Sequence, residues 1–137
     1  VSRLEEDTAH LLKLRSRLSE GLTNYPGVTL TGHPEKRLPG IASFLVWGAA
    51  GEPLVRALSD LGVCVSSGSA CSAGSGEPSR VLAAMGYELG GKAGEKAAPI
   101  RISLSRYNTL EEMDRIIALF PKAVETARQK TALLNLD

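Results

Sequence analysis

The feature that most limits how this chain can fold is the apolar run Ile41–Trp47. Seven consecutive residues without a charge predict a strand that is buried in the centre of a sheet. The chain of 137 residues is most simply a single domain, 1–137, long enough to bury about two thirds of the surface of its unfolded chain. We therefore expect this run to be the central strand of one domain that needs no disulfide bonds.

Four helices are predicted around this strand from apolar residues at helical spacing. Their approximate extents are 2–22, 53–61, 78–85 and 109–130. Ser2 with Glu5, and Thr109 with Glu112, have the spacing of a capping box at the start of the first and last helices. Pro121 is expected to kink the last helix, and the tail 131–137 is expected to fray. The third helix is expected to contribute Val81, Leu82 and Met85 to the core.

Three shorter strands are predicted at 28–31, 63–65 and 100–104. Strict alternation in the last of them places Ile100 and Ile102 on the core side and Arg101 on the opposite face. Cys64 is expected to be a small sheet residue. Four strands and four helices in this order predict an α/β domain of two layers, α+β in character, with helices over one face of a small sheet of about four strands.

Composition excludes several classes of function. A net charge of +1 without a basic block, and 4% aromatic residues, argue against nucleic acid as a partner. No apolar run approaches the length of a membrane span, and the N-terminus is unlike a signal peptide, so we expect a cytoplasmic protein that does not bind membranes. Two cysteines are too few for a disulfide framework, and no Cys/His cluster predicts a metal site. The missing initiating Met favours a fragment or a processed chain.

The second notable stretch is the Gly/Ser tract 65–76, with Cys71 in its middle. Small residues and glycines allow a loop of this kind to move and to present a sulfur atom. The alternative is a flexible linker with an incidental cysteine. A disulfide between Cys64 and Cys71 is a minor further possibility, which would tether the loop. His33, between Gly32 and Pro34, is expected to be a solvated loop residue rather than a ligand or a base.

Three ordered motifs carry a resemblance to a known family. They are Ser66–Ser72, Glu77–Gly86 and Ile100–Asp114, with weaker similarity at Arg37–Gly40 and along the strand 41–47. Together they resemble the C-terminal, small domain of cysteine desulfurases of the NifS/IscS type. These are class V aminotransferase relatives and pyridoxal-phosphate enzymes of fold type I. The resemblance implies the small α/β domain of such an enzyme, with 1–24 as a helix that arrives from a larger domain.

The resemblance also implies a reaction and its residues. The enzyme takes sulfur from L-cysteine, leaves L-alanine and carries a persulfide to an acceptor or scaffold protein, as in iron–sulfur cluster assembly. Cys71 matches the nucleophile, and Arg101 matches the arginine that grips the substrate carboxylate. The matching mobile active-site loop comprises Ser67, Gly68, Ser69, Ala70, Ser72 and Gly74. The family is homodimeric, so we expect a homodimer of the full-length enzyme.

The chain departs from the family in what would hold the cofactor. No His-Lys pair is present, since Leu11 follows His10 and Pro34 follows His33. We therefore expect pyridoxal phosphate in the full-length enzyme, no cofactor-binding residue in this chain, and no turnover of cysteine by this chain alone. Two alternatives remain open. One is a free-standing persulfide carrier or binding module without a cofactor, and the other is a selenocysteine lyase or another class V aminotransferase relative.

Overall fold

The centre of the molecule is a sheet of three antiparallel strands. The computed structural model describes residues 3–67, 80–87 and 97–134. The strands are β1 (Val28–Leu30), β2 (Ile41–Trp47) and β3 (Ala97–Ser103), in the order β1-β2-β3. In β2, Phe44, Leu45 and Val46 are fully buried, although Leu45 points to the face opposite its two neighbours. The prediction that the apolar run forms a central, buried strand is therefore confirmed.

Three long helices form the second layer. They are α1 (Leu4–Thr23), α2 (Gly51–Asp60) and α4 (Leu110–Leu134), while α3 (Arg80–Ala84) is a short helix of five residues. The core combines one face of the sheet with α1, α2 and α4, whose fully buried side chains include Leu18, Leu54 and Phe120. The expected two-layer α/β fold, with helices over one face of a small sheet, is confirmed.

The segment predicted as a fourth strand is not one. Within 63–66 only Ser66 pairs with the sheet, through a single antiparallel bridge to Arg101. Cys64 is exposed, which corrects the expectation of a sheet residue. The alternation of Val63, Cys64 and Val65 identified an extended segment, but one bridge leaves the rest of it without a partner strand.

The third helix also differs from the prediction. Val81 is 69% exposed and Met85 is 49% exposed, while Leu82 is half-buried. These residues border a cavity on the face of the sheet that α1, α2 and α4 leave open. A helix of one and a half turns on that face cannot reach the core, so its apolar stripe faces the cavity.

The two predicted capping boxes have different outcomes. Thr109 Oγ1 accepts a hydrogen bond from the Glu112 amide at 3.2 Å, so the box before α4 is confirmed. The box predicted before the first helix rests on Ser2, which lies outside the described residues, and α1 begins after Arg3, which forms no side-chain cap. At its other end α4 continues through Pro121 to Leu134, and Thr131 is buried rather than in a frayed tail. Thr131 Oγ1 donates to the Ala127 carbonyl at 2.7 Å and accepts from the Ala50 amide at 2.9 Å.

No helix in the described ranges is long and apolar enough to cross a membrane. Within the same ranges, no cluster of three His, Cys, Asp or Glu side chains could hold a metal ion.

Candidate functional site

A cavity of about 370 Å³ lies on the open face of the sheet, between the strands and α3. Its apolar wall includes Val81, Leu82, Met85 and Pro99. Phe44 and Ile100 also border it, although their side chains are buried in the core on the other face of the sheet. Its polar groups come from Thr31, Ser43, Arg37 and Arg101. A mostly apolar wall with a few convergent polar groups is typical of a small-molecule site.

Arg101 is placed in this cavity wall by the alternation of β3. Ile100 and Ile102 on either side are buried in the core, so the side chain of Arg101 leaves the sheet on the open face. This orientation is the one that the sequence predicted. Ser43 of β2 lies directly opposite Arg101 in the strand register and lines the same cavity. A cationic fork beside a hydroxyl can hold a carboxylate, but that role for Arg101 remains a prediction.

The first residues of the Gly/Ser tract are hydrogen-bonded to the backbone of Arg101. The Ser66 amide donates to the Arg101 carbonyl at 3.1 Å, and the Arg101 amide donates to the Ser66 carbonyl at 2.8 Å. Ser67, half-buried, packs on Gly51 so closely that a Cβ at position 51 would overlap its hydroxyl. A side chain at position 51 would therefore displace Ser67, and the first residues of the tract pack against β3 and α2.

The other predicted loop residues lie outside the described ranges. They are Cys71 with Gly68, Ser69, Ala70, Ser72 and Gly74. Their assigned roles remain predictions.

Arg37 is a candidate site residue for which no role was predicted from the sequence. It lies in the loop between β1 and β2 and lines the cavity, and its Nε and Nη1 are buried without a hydrogen-bond partner among the described residues. Burial lowers the pKa of Arg37, and repulsion by Arg15 lowers it further, while Tyr87 acts in the opposite direction. The signal in the sequence was the motif Arg37–Gly40, but a charged loop residue is ordinarily expected to be solvated.

His33 has a structural role in the same loop. Its Nδ1 accepts hydrogen bonds from the amides of Glu35 and Lys36, at 3.1 and 3.0 Å. The ring is exposed, as predicted for a loop residue. It caps the turn and does not line the cavity.

Comparison with known proteins shows to which family this chain belongs. The profile of the class-V aminotransferases matches residues 2–116 of this chain, which is most of its length. The chain belongs to the class-V aminotransferase family. The small sheet under a helical layer is the fold that the sequence led us to expect, and the antiparallel pairing of its strands is decided by the structure.

Two curated relatives of the chain are cysteine desulfurases by name. The chain is 39% identical over 135 residues to the cysteine desulfurase IscS of Methanosarcina thermophila, covering 97% of this chain and 32% of that protein. It is 38% identical over 126 residues to the cysteine desulfurase NifS of Azotobacter vinelandii, covering 91% of this chain and 30% of that protein. The chain thus spans about a third of the length of the relatives it matches.

Solved structures of similar proteins share the fold. A NifS-like protein from Rickettsia africae superposes with a TM-score of 0.72 at 26% identity, over 90% of this chain and 31% of that one. A second NifS-like protein superposes with a TM-score of 0.67 at 33% identity, over 90% of this chain and 29% of that one. The small sheet and its helical layer are therefore the fold of this part of NifS-like proteins.

The cavity does not fit pyridoxal phosphate, the cofactor that the family resemblance implies. A class-V aminotransferase site needs a lysine for the Schiff base and an acidic partner for the pyridine nitrogen. Among the described residues that line the cavity there is neither a lysine nor an aspartate or glutamate. The described residues that line the cavity therefore lack the groups that this cofactor needs.

Proposed function

We propose that this chain is the small, C-terminal domain of a cysteine desulfurase, which converts L-cysteine to L-alanine and leaves a persulfide on Cys71. The observation that carries the proposal is the Ser66–Arg101 bridge, because it joins the tract that bears the thiol to the residue in the cavity wall. The names of the curated relatives, cysteine desulfurases IscS and NifS, support the same function.

The length of chain between Ser66 and Cys71 supports a Cys71 thiol that can reach a substrate bound to Arg101. Five peptide units separate Ser66 from Cys71, and an extended chain spans at most about 3.6 Å per residue, or about 18 Å in all. Ser66 is hydrogen-bonded to the backbone of Arg101, so the Cα of Cys71 can lie no farther than about 18 Å from the Ser66 Cα. Such a tether is short enough to reach a substrate on Arg101 and long enough to turn outward to a partner.

The proposed step balances with L-cysteine as the only sulfur source. The Cys71 thiolate attacks the sulfur atom of the substrate, and the new S–S bond forms as the carbon–sulfur bond breaks. The electron pair of the broken bond stays with the substrate carbon, which takes a proton to give alanine. The persulfide sulfur then passes to an acceptor or scaffold protein. In this proposal pyridoxal phosphate is held by residues other than those that line this cavity.

The role proposed for Arg101 is to bind the substrate carboxylate. Its planar guanidinium offers two parallel donors to a carboxylate, which fixes the orientation of the amino acid as well as its position. Ser43, opposite Arg101, supplies a hydroxyl on the same wall. The apolar wall beyond these groups restricts the space for a larger side chain.

The first test replaces the proposed nucleophile in the full-length gene product. Cys71→Ala should reduce alanine formation from L-cysteine by about a hundredfold or more, because it removes the thiolate that is proposed to take the sulfur. Persulfide is measured by mass spectrometry of the intact protein after incubation with L-cysteine.

Cys64→Ala is the matched control, since Cys64 is an exposed, free thiol near the same tract. It should retain wild-type activity and the persulfide mass. Desulfurase activity in Cys71→Ala near the wild-type level would exclude Cys71 as the nucleophile.

A second candidate function is a persulfide carrier without a cofactor. It is favoured by one observation, that the described lining of the cavity lacks a lysine. The two candidate functions are distinguished by the colour of the purified protein and by its turnover of L-cysteine. A colourless full-length protein that neither binds pyridoxal phosphate nor forms alanine, yet accepts a persulfide on Cys71 from a donor, would support the carrier and exclude the desulfurase.

A further inference from the structure

Two of the three guanidinium nitrogens of Arg37 are buried without a hydrogen-bond partner among the described residues. Its Nε and Nη1 are shielded from solvent and have no hydrogen-bond acceptor among the described residues. Buried donors of a charged group lose the hydrogen bonds of water and must recover them elsewhere in the protein. The guanidinium cannot avoid this cost by losing its proton, because it remains charged at physiological pH. An acceptor that enters the cavity would therefore be bound favourably.

The charges around Arg37 favour a negative ligand. Arg15, only 7% exposed, lies close enough to repel Arg37, and its own guanidinium donates to the Leu38 carbonyl at 2.9 Å. The ion pairs formed between described residues are Arg17–Asp114, Arg56–Glu52 and Arg106–Asp7. Neither Arg15 nor Arg37 is in one of these pairs. Two positive charges without a carboxylate partner in the described part of the chain attract an anion.

The Tyr87 hydroxyl and the open space of the cavity lie near the Arg37 guanidinium. A Cβ added to Gly32 would lie 4.0 Å from Arg37 Nη2 and 3.9 Å from the terminal methyl group of Met85, so the loop and the residue after α3 meet at this point. Tyr87 Oη accepts a hydrogen bond from the Gly32 amide at 3.3 Å. Its hydroxyl proton has no acceptor among the described residues, and the cavity of about 370 Å³ opens beside Arg37.

We propose that Arg37 binds a small oxyanion, a carboxylate or an inorganic oxyanion, at a site of the cavity separate from Arg101. Nη2 forms a two-donor edge with either Nε or Nη1, which is the geometry that a planar oxyanion fits. The Tyr87 hydroxyl is a neutral donor near the same point. Arg37 extends from the loop between β1 and β2, near Gly32 and Met85, whereas Arg101 leaves β3 opposite Ser43, so the two guanidinium groups come from different parts of the cavity wall. The site does not depend on the role of Cys71.

The test is isothermal titration of the full-length protein with sodium propionate and, separately, sodium sulfate, at constant ionic strength set by sodium chloride. We expect one site per chain for at least one probe, and the tighter probe identifies the preferred oxyanion. Arg37→Gln should weaken binding at least tenfold. Arg56→Gln, which changes an exposed arginine of α2, is the matched control and should change affinity less than twofold.

Thermal unfolding distinguishes a role of Arg37 in ligand binding from a role in stabilising the fold. Without a probe, Arg37→Gln should unfold at the wild-type temperature or above it, because it removes an unpaired buried charge, and the bound probe should raise the midpoint of the wild type alone. Arg37→Lys, which keeps the charge without the planar fork, should bind with intermediate affinity. Failure of both probes to bind the wild type would overturn the proposal. So would a tenfold loss of affinity for the same probe in both Arg37→Gln and Arg101→Gln, since one ligand would then engage both arginines.

Discussion

At the scale of single residues, Arg101 shows how a strand can direct one charge out of an apolar core. Its neighbours Ile100 and Ile102 are buried while it lines the cavity, so a substitution at 101 changes the cavity and not the core. If Arg101 binds the substrate carboxylate, Arg101→Gln should lower kcat/KM for L-cysteine in the full-length enzyme by about tenfold to a hundredfold. That range corresponds to about 1.5–3 kcal/mol for a hydrogen bond to a charged group. The loss should appear mainly as a higher KM in steady-state kinetics.

Arg106→Gln is the control for that measurement. Arg106 lies on the loop that follows β3, where it contacts Asp7 at 3.6 Å and donates to Tyr107 Oη at 2.8 Å, outside the cavity lining. It should leave KM within twofold of the wild type. An unchanged KM in Arg101→Gln would remove Arg101 from the proposed site.

At the scale of elements, α4 depends on a defined start. Thr109 Oγ1 accepts from the Glu112 amide, and Asn108 Nδ2 donates to the Glu112 carboxylate at 3.0 Å, so polar side chains satisfy the first turn. Thr109→Ala removes the cap and should lower the free energy of unfolding by about 1 kcal/mol. Urea denaturation measured by circular dichroism tests this expectation.

Thr109→Ser keeps the hydroxyl and should remain within about 0.5 kcal/mol of the wild type. A Thr109→Ala variant as stable as the serine variant would show that tertiary packing, and not the cap, fixes the start of α4.

At the scale of the whole molecule, stability rests on one face of the sheet. Leu18 of α1 is fully buried in the core shared by the sheet and the three long helices. Leu18→Ala should lower the free energy of unfolding by about 2–5 kcal/mol, through lost burial and the cavity left behind. Urea denaturation of the chain at constant pH measures the difference.

Leu4→Ala is the matched change on the same helix, at a leucine that is 66% exposed. It should alter the free energy of unfolding by no more than about 0.5 kcal/mol. Equal effects of the two substitutions would mean that α1 does not pack on the core as the structure describes.

Local patterns were enough to predict much of this architecture. The uncharged run 41–47 identified β2, and helical spacing identified α1, α2 and α4, because each pattern repeats over a whole element. Alternation in β3 was enough to predict that the side chain of Arg101 projects from the face of the sheet opposite the core. The ordered motifs predicted the family, which the match over residues 2–116 confirms.

The tertiary structure alone decided which short segments are buried. Val81 and Met85 resemble core residues in sequence, but they border a cavity because α3 lies on the open face. Cys64 resembles a strand residue, but it is exposed because only Ser66 reaches β3. Arg37 resembles a solvated loop residue, but two of its nitrogens are buried. The apolar run in β2 and the stripes of the long helices determine their own burial, whereas the burial of a short segment depends on distant parts of the chain that its own sequence does not encode.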